Sequence, residues 1–108
     1  PPQIKVLCNA GTYSAAFDVA CALHLTGAKL VGTPSAQAAN CFIDALFFKL
    51  DRTGLTGNVS YQAAYGFPDD PAKGRVLPCD IPLTFEAFWK LGFDPNAELL
   101  LALDPESR

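Results

Sequence analysis

The sequence predicts a single α/β domain built around a parallel strand pair. Three observations carry this. Residues 3–32 run strand, tight turn, helix, short loop, strand, the order of a βαβ unit, which pairs its strands in parallel through a right-handed crossover. Residues 41–65 then hold two strand-like runs separated by turn chemistry. Two capped helical runs close the chain.

Taken in order, Ile4, Val6 and Leu7 are strand formers bounded by Pro2 and Gly11, giving a strand over 3–8. Residues 14–26 are rich in Ala and Leu and end at Gly27, which predicts a helix. Its apolar residues (Ala15, Phe17, Val19, Cys21, Leu23, Leu25) go nearly all round, so burial on most sides is expected. Residues 28–32, AKLVG, form the second strand, and 33–40 a loop of small residues. CFIDALFFKL (41–50) is an apolar strand, and Asp51-Arg52-Thr53-Gly54 a turn. NVSYQAAY (58–65) alternates Val59, Tyr61, Ala63 and Tyr65 against Asn58, Ser60 and Gln62, the pattern of a half-buried strand paired with the preceding one. Residues 66–74 read as a surface loop, with short extended stretches around Val76-Leu77 and Ile81. Thr84 caps a helix through Phe85, Phe88, Trp89 and Leu91, ended by Gly92. Asp94 caps the last one, with Pro95 at its first position.

The totals exclude several function classes. With 108 residues there is room for one domain and one modest core. Net charge is −3, so there is no electrostatic footprint for nucleic acid or an anionic membrane. No apolar run approaches the length of a membrane span. Cys8, Cys21, Cys41 and Cys79 have neither CxxC spacing nor a neighbouring His, which argues against zinc. They read as unpaired structural thiols, with a disulfide allowed if the protein is exported. No cofactor is implied. The opening Pro1-Pro2-Gln3, without an initiator Met, reads as a piece of a longer protein.

One hydroxyl, Ser14, stands where the first strand meets the first helix. Ser is a preferred helix cap, and Thr12 can share that task. The same position lies at the carboxyl end of a parallel strand, where sites in such sheets lie, with helix amides behind it to stabilise an oxyanion. The surrounding segment, GTYSAAFDVACAL, resembles the nucleophile segment of the tail-specific (carboxyl-terminal processing) and tricorn-core serine peptidases. AKLVGTP (28–34) is similar to the family's next strand, and GRVLPCDIPL (74–83) to its closing Gly-Val-x-Pro-Asp-Ile run; Asp94-Pro95 opening the last helix also fits. In order, these motifs span nearly the whole chain.

The resemblance implies a crotonase/Clp peptidase-like ββα core, here a mixed sheet with one buried nucleophile helix and two carboxyl-terminal helices. It implies that residues 1–108 are the carboxyl-terminal half of a larger catalytic domain in an exported protein. It makes Ser14 the nucleophile and the Ala15 N–H an oxyanion donor. Gly11, Thr12, Tyr13 and Thr33 would bind a polypeptide substrate, and Asp69 or Asp70 would supply a carboxylate. Two family positions differ: Phe17 replaces a Glu, and Ala38, beside Gln37, falls where one branch has its Lys base. His24, ten residues along the same helix, is roughly 15 Å from Ser14, beyond the ~3 Å reach a base requires; it reads as a helix-end residue. The base would therefore come from upstream chain. Asp44, inside an apolar strand, should be paired or edge-facing, or else face substrate, with Asn40 nearby. The alternative is a non-catalytic, peptide-binding module with an eroded site. An esterase-like reading lacks the Gly-x-Ser-x-Gly elbow.

Overall fold

Strand β1 (Lys5–Cys8), helix α1 (Ala15–Leu25) and strand β2 (Lys29–Gly32) form the expected βαβ unit. In the computed structural model, which describes residues 3–104, β1 and β2 pair in parallel from Lys5↔Lys29 to Cys8↔Gly32. Pro2, expected to bound the first strand, lies outside the described residues. The domain is mixed α/β, with a parallel sheet and a separate antiparallel ribbon.

Successive residues of a strand point to opposite faces, and β2 uses both. Leu30 joins Cys8, Phe17, Ala20, Ala39 and Leu77 in a core on one face. Val31 turns the other way and packs with Leu101 and Ala102. The second face belongs to helix α4, introduced below. Gly32 ends β2 at φ +125°, where a Cβ would lie 2.0 Å from the Cys8 carbonyl oxygen. Only glycine lets the strands close at this point.

Strands β3 (Asn40–Lys49) and β4 (Thr56–Tyr65) form a long antiparallel ribbon, from Asn40↔Tyr65 to Lys49↔Thr56. It makes the molecule elongated. The radius of gyration is 17.4 Å, against about 13 Å for a compact domain of this length. The alternation in 58–65 is present, but the expected half-burial is not: Val59, Tyr61 and Tyr65 are all exposed. No second layer covers the ribbon among the described residues, because the parallel sheet packs its faces on helices instead.

The segment expected to be loop contains a short helix, α2 (Pro71–Arg75). Asp70 accepts a hydrogen bond from the Lys73 N–H at 3.0 Å and Pro71 takes the first helical position, so local capping outweighs the Gly and Pro content. Strand β5 (Ile81–Pro82) extends the parallel sheet beside β2, giving the order β1-β2-β5. Helix α3 (Phe85–Lys90) is capped by Thr84 as expected, the Ala87 N–H donating to Oγ1 at 3.1 Å. Helix α4 (Ala97–Leu103) starts later than expected, with Asn96 as N-cap. Asp94 still receives the Asn96 N–H at 2.7 Å, but Pro95 lies in the preceding turn.

Burial of α1 is also narrower than its composition suggests. Only Phe17 and Ala20 are buried, while Val19 and Leu25 face solvent. A helix on the outside of a three-stranded sheet has one neighbour, so only one stripe can be covered.

Candidate functional site

The turn leaving β1 and the loop leaving β2 sit side by side, because the two strands are parallel and end together at Cys8 and Gly32. Side chains organise the first turn. The Gly11 N–H donates to Asn9 Oδ1 at 2.8 Å, and the Asn9 N–H to Thr12 Oγ1 at 3.0 Å. Three further bonds tie it to the second loop. Ser35 Oγ donates to the Thr12 carbonyl at 2.6 Å, the Ala36 N–H to the Ala10 carbonyl at 3.4 Å, and the Ser14 N–H to Gln37 Oε1 at 2.7 Å.

Held this way, Ser14 adopts φ 54°, ψ −127°. These are the angles of the first central residue of a type II′ turn, a place glycine normally fills. For a residue with a Cβ they carry strain of order 1–3 kcal/mol. Its side chain makes no capping hydrogen bond to α1. Ser14 therefore does not act as the hydroxyl cap that its position suggests. The Ala15 N–H follows it at the start of α1, where first-turn amides have no intrahelical acceptor.

Ser14 borders a cleft of about 470 Å³ between this turn, the 36–38 loop and the base of the ribbon. Tyr13, Gln37, Cys41, Ile43 and Ser60 also line it, with Asp18 and Asp44 as its carboxylates. Asp44 has φ 50° and drops out of the ladder between Ile43↔Gln62 and Ala45↔Ser60. Two of the three non-glycine residues with positive φ among those described therefore line one cleft.

Other expected site residues lie elsewhere. Gly11 and Thr12 build the turn rather than the cleft wall. Thr33 borders a different cavity, of about 300 Å³, with Leu83, Phe85, Phe88 and Glu98. Asp69 and Asp70 are not in the cleft: Asp70 caps α2 and approaches Lys73 at 4.0 Å, while Asp69 is exposed in the turn before it. Asn40 is a structural clamp at the ribbon base, donating to the Phe67 carbonyl at 2.8 Å and accepting from the Phe67 N–H at 3.0 Å. Nothing in the sequence singles out Asp18 or Gln37 as site residues. Their convergence depends on the loop and ribbon folding over α1, which no local spacing reveals.

His24 lies at the far end of α1, with Nδ1 3.5 Å from Asp80 Oδ2. Burial pushes the Asp80 carboxyl up, but the Leu30 N–H at 2.8 Å, Lys29 at 3.4 Å and His24 outweigh it, so its pKa falls below the ordinary value. All four cysteines are free thiols. Burial raises the pKa of Cys8, Cys21 and Cys79; Cys79, also beside Cys8 and Asp80, is pushed up to about 11. These three stay protonated at neutral pH and are poor nucleophiles.

Among the described residues, no group of three or more His, Cys, Asp or Glu is placed to hold a metal ion. No helix there is long and apolar enough to cross a membrane. Comparison with protein-family models, curated proteins and solved structures finds no match to this chain.

Proposed function

We propose that Ser14 is the nucleophile of a serine-type peptidase of the tail-specific or tricorn-like kind, within a crotonase/Clp-like core of an exported protein. The observation that carries this is the strained backbone of Ser14 at a strand-to-helix turn, with its hydroxyl unused for capping and beside an open cleft. Strained residues that persist cluster at active sites. A sharp strand-to-helix turn is also how a nucleophilic serine is presented on an unrelated hydrolase fold.

In this reading Ser14 Oγ attacks the carbonyl carbon of a bound polypeptide, and its proton passes to a base. The oxyanion is held by the Ala15 N–H, with a second donor from outside these 108 residues. The base returns the proton to the leaving amine, and water then hydrolyses the ester on Ser14. In this reading the base, a His or Lys, also comes from outside this chain, because neither residue type lines the cleft and His24 sits at the far end of α1 against Asp80.

The test is fluorophosphonate labelling of the intact polypeptide that carries this sequence. Labelling that disappears in Ser14→Ala supports the proposal; absence of Ser14-dependent label overturns it. A second reading, a peptide-binding module without catalysis, is favoured by Gln37. Its carboxamide occupies the Ser14 amide at 2.7 Å, near the place where a Lys base would lie. Peptide binding by the cleft without any Ser14 labelling is its signature.

A further inference from the structure

The β3–β4 ribbon separates two faces. Residues directly opposite across an antiparallel pair share a face. The pairs Phe42↔Ala63, Leu46↔Val59 and Phe48↔Gly57 therefore lie on one side, together with Tyr61 and Tyr65. The register is the same on both sides of Asp44, so this face is continuous. Phe42, Leu46, Phe48, Val59, Tyr61 and Tyr65 are between 48% and 77% exposed on it. The opposite face carries Cys41, Ile43 and Ala45 toward the Ser14 cleft, where they are partly covered.

We propose that this aromatic face is the two-fold interface of a homodimer, its occupant being the same face of a second copy of this chain. Three observations favour that occupant. The first is area: at about 200 Å² per aromatic side chain, the four rings leave roughly 500 Å² open, and Leu46 and Val59 bring the face toward the ~800 Å² that each partner of a standard interface buries. The second is charge. Asp44 drops out of the ladder and lines the Ser14 cleft, and the paired residues of the face carry no carboxylate or amine, so the surface offers no pattern for an acidic or basic partner and little self-repulsion. Interface centres are likewise rich in aromatics and poor in charge. The third is the ribbon itself, since two strands alone are marginal in water and need a further layer. Two copies packed face to face, about 10 Å apart, supply that layer isologously. Phe42 also borders the Ser14 cleft, so the second copy would stand at its rim.

The test is sedimentation equilibrium, from 1 to 200 μM, of the intact polypeptide that carries this sequence. The expected result is a closed dimer of twice the mass of that polypeptide. Leu46→Lys, at the centre of the face, should raise the dissociation constant about 100-fold or more, as loss of a buried anchor does. Phe47→Ser, on the opposite face, should leave it unchanged. Circular dichroism on each variant confirms that the fold persists. A monomer throughout the range, an open-ended series of larger species, or a dimer that Leu46→Lys leaves intact or Phe47→Ser abolishes would each overturn the proposal.

Discussion

Replacing Ser14 by Gly should stabilise the protein, and replacing it by Ala should not. The native angles, φ 54° and ψ −127°, oppose any residue with a Cβ, at a cost of order 1–3 kcal/mol. Glycine relieves this but adds about 0.5–1 kcal/mol of backbone entropy to be lost on folding. The net expectation is a gain of about 1 kcal/mol, which for a domain near 100 residues is about 4–8 °C in Tm. Alanine keeps the Cβ and so keeps the strain. It also removes a hydroxyl that caps nothing, so its stability should stay within about 0.5 kcal/mol of the parent. Urea melts and calorimetry of the three proteins measure the difference. A Ser14→Gly variant no more stable than Ser14→Ala would refute the assignment of strain to this turn. Both variants remove the hydroxyl, so the labelling proposed for Ser14 should be lost in both, which separates the stability effect from the proposed chemistry.

Two further outcomes follow from the parallel sheet. Gly32→Ala places a Cβ against the Cys8 carbonyl and Glu98 at a φ unsuited to alanine, so it should cost at least about 3 kcal/mol; loss of the folded far-ultraviolet circular dichroism signal at lower urea checks this. The lowered pKa of Asp80 means that its ionised form is bound more tightly in the folded state. Its contribution is present above the ordinary carboxylate value of 3.8 and is lost as pH falls below it, so Asp80→Asn should flatten that acid limb in pH-dependent urea melts.

How much of this was legible in the sequence depends on whether the governing contact is local. The βαβ unit, the paired ribbon and the Thr84 cap were legible because residue type and spacing decide them within a few residues. The late start of α4 was not, because Asp94 satisfies the Asn96 amide in a turn that places Pro95 outside the helix. The exposure of the ribbon was not either. Alternation at Val59, Tyr61 and Tyr65 says that one face is apolar, and says nothing about whether another layer arrives to cover it. The cleft residues Asp18, Gln37 and Asp44 are brought together by loop and ribbon packing across long sequence separations.

The same chain shows what a capping hydroxyl looks like, and Ser14 differs from it. Thr84 precedes α3 with φ −75° and ψ 163°, and its Oγ1 accepts the Ala87 amide. That is the unstrained extended geometry capping requires. Ser14 precedes α1 with φ positive and its Oγ uninvolved. If capping were its task, the Thr84 geometry would serve at lower cost. Strain survives folding only where surrounding contacts over-determine it. Here the Ser35–Thr12, Ala36–Ala10 and Gln37–Ser14 hydrogen bonds clamp the turn from the neighbouring loop. Because that loop leaves β2 beside the end of β1, the clamp exists only in the folded parallel sheet. The backbone geometry of Ser14 beside the cleft is thus a tertiary property, built from three bonds outside its own helix. This is why loosening the 35–37 loop should relax Ser14 without unfolding α1.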